Sequence, residues 1–213
     1  MALGSGSARQ AAWAGAGASV LLVAVFVLED LLSPSFNWLS TAVSEHSFGP
    51  HGWIQISTFV VTGLLLLAFA GGVAREFGRD RSRLGARFLA ILAWCILLSG
   101  PFVADPAPVA VYSREATWHG ILHGILGAIA FTLMPASCFV FYRRFRKDAQ
   151  WRSLATWTLA ACVVIVSAIV LLKIAQLGPL HGLAGLFQRI ILVTFFGWTF
   201  AFGARLGRMR SAA

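Results

Sequence analysis

Six long apolar runs divide the chain, and no other feature of the sequence limits its fold so strongly. A helix of roughly 20 apolar residues can cross the hydrocarbon core of a bilayer, which is about 30 Å thick. We therefore predict an all-α, polytopic bundle of six transmembrane helices. Because the segments between the runs are too short to fold alone, residues 1–213 are expected to form a single domain. The predicted spans are about 12–32, 53–74, 85–103, 118–142, 154–177 and 185–204.

The composition agrees with a membrane protein and excludes a soluble globular domain. Hydrophobic residues make up 58% of the chain, charged residues only 12%, and the mean hydropathy is +0.78. Soluble domains carry about 25% charged residues. The first run follows Arg9, as a signal peptide would, but it continues into Glu29 and Asp30 with no small-residue cleavage site. It is therefore expected to be a retained helix.

The basic residues follow alternate runs, and this predicts how the bundle is oriented. The formal net charge is +9, and the cations cluster after the second, fourth and sixth runs. By the positive-inside rule, both termini and the two basic loops lie in the cytoplasm. Topology and contact with anionic lipids account for the charge, so no nucleic-acid partner is expected. The first basic loop contains Arg75, Arg79, Arg81, Arg83 and Arg87, and the predicted outer loops are 33–52, 104–117 and 178–184.

With this orientation, every histidine falls on the predicted outer side, together with most of the acids. Ionisable groups gathered at one end of a membrane bundle are typical of a functional site. The dipeptide His-Gly also recurs ahead of three of the runs, at 51–52, 119–120 and 181–182. The histidines are His46, His51, His119, His123 and His181, and the acids are Glu29, Asp30, Glu45, Asp105 and Glu115.

His119 and His123 form the strongest candidate for chemistry. Four residues apart, they share one face of the predicted fourth helix, about 6 Å apart along its axis. This spacing allows both rings to bind one metal ion, such as zinc or another divalent cation. Proton handling, catalysis and plain hydrogen bonds between helices are the alternatives. The residues expected to complete the site are His181, His46, Asp105 and Glu45.

Arg189 is a charge inside the sixth run. It lies eight residues past His181, which places it about 10 Å below the outer surface of the membrane. A charge at that depth usually faces the bundle interior and has a partner, and Asp105 and Glu45 are the expected partners. The alternatives are snorkelling towards the outer headgroups, or an anion site with Gln188 that binds a lipid phosphate or a carboxylate.

The tryptophans indicate the membrane boundaries, because their amphipathic rings favour the interface. Trp38, Trp53 and Trp118 are expected at the outer boundary. Trp151 is expected at the inner one.

Four stretches carry a resemblance to known proteins: "LSTAVSEHSFGPHGWIQ", "FVADP", "TWHGILHG" and "GLFQR". With them the chain resembles a bacterial family of six-helix integral membrane proteins known only as a domain of unknown function, number nine hundred and ninety-eight in that series. The resemblance covers nearly the whole chain. It implies the fold and a multi-pass location in a bacterial inner or plasma membrane, but no activity.

The plan of the chain is also similar, more loosely, to intramembrane metal hydrolases of the alkaline ceramidase and adiponectin-receptor type. These proteins combine a Ser, an Asp and several His near one membrane face. The similarity implies such roles for Ser44, Asp105, His119, His123 and His181, and it is an analogy of plan.

Several functions are compatible with these residues. In the first, a metal-dependent intramembrane hydrolase acts on a lipid-like substrate: the histidines hold a metal ion that activates water, Asp105 or Glu45 is the base or a ligand, and Arg189 binds an anionic headgroup. The second is a non-enzymatic protein that binds a lipid or small molecule, or a proton-linked transporter. A haem-binding electron carrier, with histidines on two facing helices, is a third. A scaffold whose polar residues only join helices is the last.

Overall fold

The computed structural model describes residues 5–33, 36–77, 83–106 and 113–211, and within them the chain is helical, as predicted. Arg79 and Arg81 of the first basic loop lie outside the described residues. Short 3-10 helices cover Val43–Ser47 and His181–Leu183. The long helices are α1 (Ser5–Leu32), α2 (Gly52–Phe77), α3 (Arg83–Leu98), α4 (Trp118–Phe145), α5 (Arg152–Gln176) and α6 (Ala184–Ser211).

Five of these helices are long and apolar enough to cross a membrane. The exception is α3, whose 16 residues correspond to a length of about 24 Å. The chain is thus an integral membrane protein in contact with lipid, while the six-span topology and its orientation stay predictions. The five spans are Arg9–Leu32, Gly52–Phe77, Trp118–Phe145, Arg152–Gln176 and His181–Met209.

The third helix ends five residues before the predicted limit of 103, at Leu98. The sequence that follows, Ser99-Gly100-Pro101, explains this. Proline disfavours the helical conformation in the residue before it and has no backbone N–H to continue the ladder. Ser99 closes the last turn by donating its hydroxyl to the carbonyl of Cys95 at 2.9 Å.

The helices form a closed ring in chain order. Each one packs against its neighbours in sequence, and α6 packs extensively against α1, so that the first and last helices are also adjacent. Glycine allows the closest approaches: a side chain on Gly72 of α2 would collide with Ala11 of α1. The ring has two ends, which we name by the residues they carry. The histidine end contains the end of α1, residues 36–51 and the starts of α4 and α6. The arginine end contains the end of α2, the start of α3 and the end of α6.

Aromatic side chains fill the core towards the arginine end. Phe145 stacks on Trp151 with ring centroids 5.0 Å apart, and Phe202 packs edge-on against both. Trp151 is only 1% exposed, so its ring packs inside the bundle, while its place at the level of the inner boundary stays a prediction. Its position just before a helix suggested a boundary, but the residue turns inward and completes the core. Trp38, Trp53 and Trp118, by contrast, are exposed.

Candidate functional site at the histidine end

An ion-paired cluster joins the first helix, the last helix and the segment that follows α1. Asp30, near the end of α1, accepts hydrogen bonds from Arg189 Nε at 2.8 Å and from Arg189 Nη2 at 2.6 Å. The same carboxylate accepts a bond from Nε2 of His46 at 2.9 Å. The ion pair is largely enclosed, with 8% of the Arg189 side chain and 14% of the Asp30 side chain exposed. We call Asp30, His46 and Arg189 the charged triad.

The start of α6 also holds the segment after α1 in place. Arg189 Nη1 donates to the carbonyls of Thr41 at 2.8 Å and Gly185 at 3.1 Å. Gln188 Oε1 accepts the backbone N–H of Val43 at 2.7 Å. A side chain on Gly185 would collide with the Thr41 carbonyl, so only glycine permits this approach. Both residues predicted to bind an anion, Arg189 and Gln188, are therefore engaged by groups of the protein itself.

The predicted partners of Arg189 are wrong. Neither Asp105 nor Glu45 pairs with it, and Asp30 does. Glu45 Oε1 instead accepts the backbone N–H of Ala42 at 3.0 Å, within its own 3-10 helix. The physical reason is the closure of the ring: because α1 packs against α6, the end of α1 reaches Arg189.

The surroundings of the charged triad combine an aromatic ring with a second acid. Phe36 stacks on the His46 ring, with centroids 4.0 Å apart and planes at 21°. Glu29 precedes Asp30, and its Oε2 atom is buried with no hydrogen-bond partner among the described residues. Ser47 Oγ, next to His46, is in the same condition. A buried polar atom without a partner is costly and usually marks a place for water, an ion or a ligand.

A second polar cluster lies where the segment after α3 meets the start of α4. Thr117 caps α4 by accepting the N–H of Gly120 on its hydroxyl oxygen at 3.1 Å. Asp105 holds Thr117 in turn: it accepts the hydroxyl at 2.6 Å and the backbone N–H at 2.9 Å. A side chain on Gly120 would collide with this carboxylate. Asp105 therefore acts here as a support for the helix cap, and both of its oxygens are occupied.

His119 and His123 each bond a backbone carbonyl of the segment that follows α3. His119 Nδ1 is 3.0 Å from the carbonyl of Val103, and His123 Nδ1 is 2.7 Å from that of Phe102. A carbonyl only accepts, so each Nδ1 carries a proton, and neither Nε2 takes part in these contacts with the described residues. Metal-binding histidines commonly have this arrangement, in which the second nitrogen is oriented by a carbonyl or carboxylate.

The remaining predicted site residues lie apart from these clusters. His181 is exposed, and its Nδ1 is 3.1 Å from the carbonyl of Gly178. Ser44 lies in the 3-10 helix Val43–Ser47 and is half-buried. His51, just before α2, is exposed.

The predicted metal ligands do not converge. His46 bonds Asp30, His119 and His123 bond the segment after α3, and His181 bonds its own turn. In the part of the chain that the structure describes, no group of three or more His, Cys, Asp or Glu is arranged to hold a metal ion. His119 and His123 are the two predicted ligands that lie on one helix and bond neighbouring carbonyls, those of Val103 and Phe102.

Sequence reasoning missed two residues that matter at this end. Asp30 was expected to snorkel or to face inward like its neighbour Glu29, and a carboxylate inside an apolar run is itself a signal for a buried partner. Thr117 was quoted within a motif but not recognised as a helix cap, although threonine immediately before an apolar helix favours that role.

Together, the ring of apolar helices and the ion pair enclosed between two of its spans define a helical integral membrane protein with a buried charged site. The chain belongs to the family described as protein of unknown function (DUF998), whose model matches residues 16–205. Comparisons with curated proteins and with solved structures found no match.

Proposed function

We propose that this chain is a non-enzymatic, proton-linked transporter, and that the charged triad is the gate at its outer end. The observation that carries the proposal is the position of Asp30, whose carboxylate is held at once by Arg189 of α6 and by His46. Charged side chains inside membrane spans are costly and are typical of ion and substrate pathways. The Asp30 carboxylate of α1, paired with Arg189 of α6, links the first and last helices of the ring.

Protonation is the step that opens this contact. The bonds from Arg189 and His46 are strong because the carboxylate is ionised, and a protonated Asp30 loses that charge. A charged imidazole would hold the ionised carboxylate more firmly, so the proton that releases both partners is the one taken up by Asp30 itself. Glu29 adds a second carboxyl group beside Asp30, and Glu45 and Arg189 are the other charged groups of the surrounding elements. A proton can pass between His46 Nε2 and the Asp30 carboxylate that it bonds, while Arg189 keeps its charge.

Polar groups inside the bundle favour a transport path over a scaffold. Gln55 and Thr62 of α2 and Ser137 of α4 are each 0% exposed. The amide of Gln55 and both hydroxyls have no hydrogen-bond partner among the described residues. Gln55 and Thr62 share one face of α2 and are about 10 Å apart along its axis. Water or a polar cargo would satisfy them, whereas a bundle that only joins helices gains nothing from unpartnered polar groups.

The predicted hydrolase has less support from the geometry. A hydrolytic metal site normally has three protein ligands and an open position, and the described residues contain no such group. Asp105, its expected base, uses both oxygens on Thr117.

Hydrogen exchange followed by mass spectrometry tests the gate. The reporters are the amide of Leu186, which donates to the carbonyl of Leu39 at 2.9 Å, and the amide of Val43, which donates to Gln188. After correction for intrinsic exchange rates, both should be protected at about pH 8 and lose protection at about pH 3, where a carboxyl group takes up a proton. Asp30→Asn should show the low-protection state at both pH values. His181→Gln, a histidine change outside the triad, is the control and should behave as the wild type.

Transport itself is tested in proteoliposomes that contain a pH-sensitive dye. A panel of small polar solutes is added outside, and the expected result is proton movement with at least one of them that Asp30→Asn abolishes. Protection that is independent of pH, or solute-dependent proton movement that survives Asp30→Asn, would overturn the gate.

A divalent metal bound by His119 and His123 is a second candidate, because both rings are oriented through Nδ1 and keep Nε2 for a ligand. At this pair, solvent or substrate would supply the remaining zinc ligands. The proposal keeps the predicted metal and the two histidines but does not include a third protein ligand. It also needs no residue of the charged triad, so the two proposals can be tested separately.

A further inference from the structure

A groove lies between α2 and α3 at the arginine end. Its volume is about 480 Å³, within the range of roughly 300–1,000 Å³ that is usual for small-molecule sites. Small side chains leave this space: Ala70 and Ala74 on one wall, Ala86 and Ala90 on the other. It is separate from the charged triad, which lies at the opposite end of α2.

The groove has an apolar body and a cationic mouth. Arg83 and Arg87 line it from α3 and, four residues apart, they share one helix face. Leu67, Ala70 and Gly71 line it from α2, and no acidic side chain is among the described residues that form its walls. Arginine binds phosphate through several N–H donors in a planar fork. The groove therefore offers a phosphate site at one end and a surface for a hydrocarbon chain at the other.

We propose that this groove binds one anionic phospholipid, with the phosphate at the end of the groove that Arg87 lines and an acyl chain along the alanine walls. Three observations favour a lipid over a soluble phosphate compound. The groove is open on one side, and one of its walls is α2, which is among the five candidate membrane spans. Its lining is mostly apolar. Its charge is opposite to that of an anionic headgroup, and anionic leaflets attract basic residues at the ends of spans. This proposal does not depend on the proton-linked function.

Native mass spectrometry of the purified protein tests the site, with phosphatidylglycerol as the anionic probe and phosphatidylcholine as the neutral one. The wild type should retain one phosphatidylglycerol molecule in preference to phosphatidylcholine. Arg87→Gln should weaken retention about fivefold, the effect expected of one arginine near an anionic lipid. The control is Arg152→Gln, a basic residue exposed at the same end but outside the groove, which should leave retention unchanged.

Two further variants test the apolar part of the site without changing charge. Gly71→Leu should fill the groove, because a side chain at Gly71 would meet no atom within 4 Å. Gly127→Leu on α4 is matched to it, since Gly127 also has open space, and it should not affect binding. Ala74→Leu blocks the same wall and serves if Gly71→Leu does not fold.

The groove variants should lose the retained lipid, and glycerophosphate, which has the headgroup without the chains, should not bind. Equal retention of the anionic and neutral lipids would overturn the proposal. So would an equal loss in the groove variants and their controls, or tight binding of glycerophosphate alone.

Discussion

Removing Asp30 should destabilise the protein more than any ordinary polar contact between its helices. In Asp30→Ala, Arg189 stays enclosed and keeps only the carbonyls of Thr41 and Gly185 as acceptors. Breaking a buried ion pair by deleting one partner typically costs about 3–5 kcal/mol. Hydrogen bonds between membrane helices average only about 0.6 kcal/mol. The two numbers differ enough for a measurement to decide between a buried charge and a simple hydrogen bond.

The assay is reversible unfolding in mixed micelles, followed by the loss of helical signal. Asp30→Ala should lower the free energy of unfolding by about 3–5 kcal/mol. The double variant Asp30→Ala/Arg189→Met no longer buries an unpaired charge, so its loss should be smaller than the sum of the two single losses. The control is Asp148→Ala, which breaks the pair with Arg144 at 3.6 Å, whose side chains are 30% and 27% exposed, and it should cost at most about 1 kcal/mol.

Two results would refute this reasoning. A loss below about 1 kcal/mol for Asp30→Ala would mean that the pair is solvated in the membrane-embedded protein, as exposed pairs are. Losses that add in the double variant would mean that Asp30 and Arg189 act independently, since residues in direct contact are expected to couple.

Further outcomes are expected at the start of α4. Gly120→Ala should displace the Asp105 carboxylate and destabilise the protein by about 1–3 kcal/mol. Gly127→Ala, at a position with open space around it, should be neutral or stabilise the protein by up to about 1 kcal/mol. Thermal unfolding measures both variants, and equal effects would contradict the predicted contact. Zinc should raise the midpoint of thermal unfolding of the wild type but not that of His119→Gln or His123→Gln. His181→Gln is the control and should respond to zinc as the wild type does. A zinc-dependent shift that persists in His119→Gln and His123→Gln would exclude the histidine pair as the metal site.

The helices could be predicted from the sequence because the bilayer imposes a length on each apolar run. Five helices long enough to cross a membrane coincide with five of the predicted spans, because the same apolar stretch determines the helix and the prediction. The third run was predicted too long because its hydropathy continues into Phe102 and Val103, while Pro101 ends the helix. Hydropathy alone does not contain that local backbone constraint.

The partners in the site could be predicted less well, because they depend on which helices become neighbours. Several acids shared the predicted side of the membrane with Arg189, and nothing in their spacing distinguished Asp30 from Asp105. The His-Gly repeats indicate close packing at helix starts, and the glycine of the pair, not the histidine, is the residue that permits it. Gly52 and Gly120 are the positions where another segment lies against a helix start, and at the third repeat this role falls to Gly185 instead of Gly182.

The pairing of the first helix with the last also sets an order of assembly. Asp30 and Arg189 are separated by 159 residues in the chain. At a synthesis rate of about 5–20 residues per second, roughly 10–30 s pass between them on the ribosome. Throughout that interval a nascent chain holds an acidic residue near the end of its first membrane segment without the guanidinium of α6. A polypeptide that stops before α6 therefore leaves the end of α1 with His46 as its one partner from the charged triad.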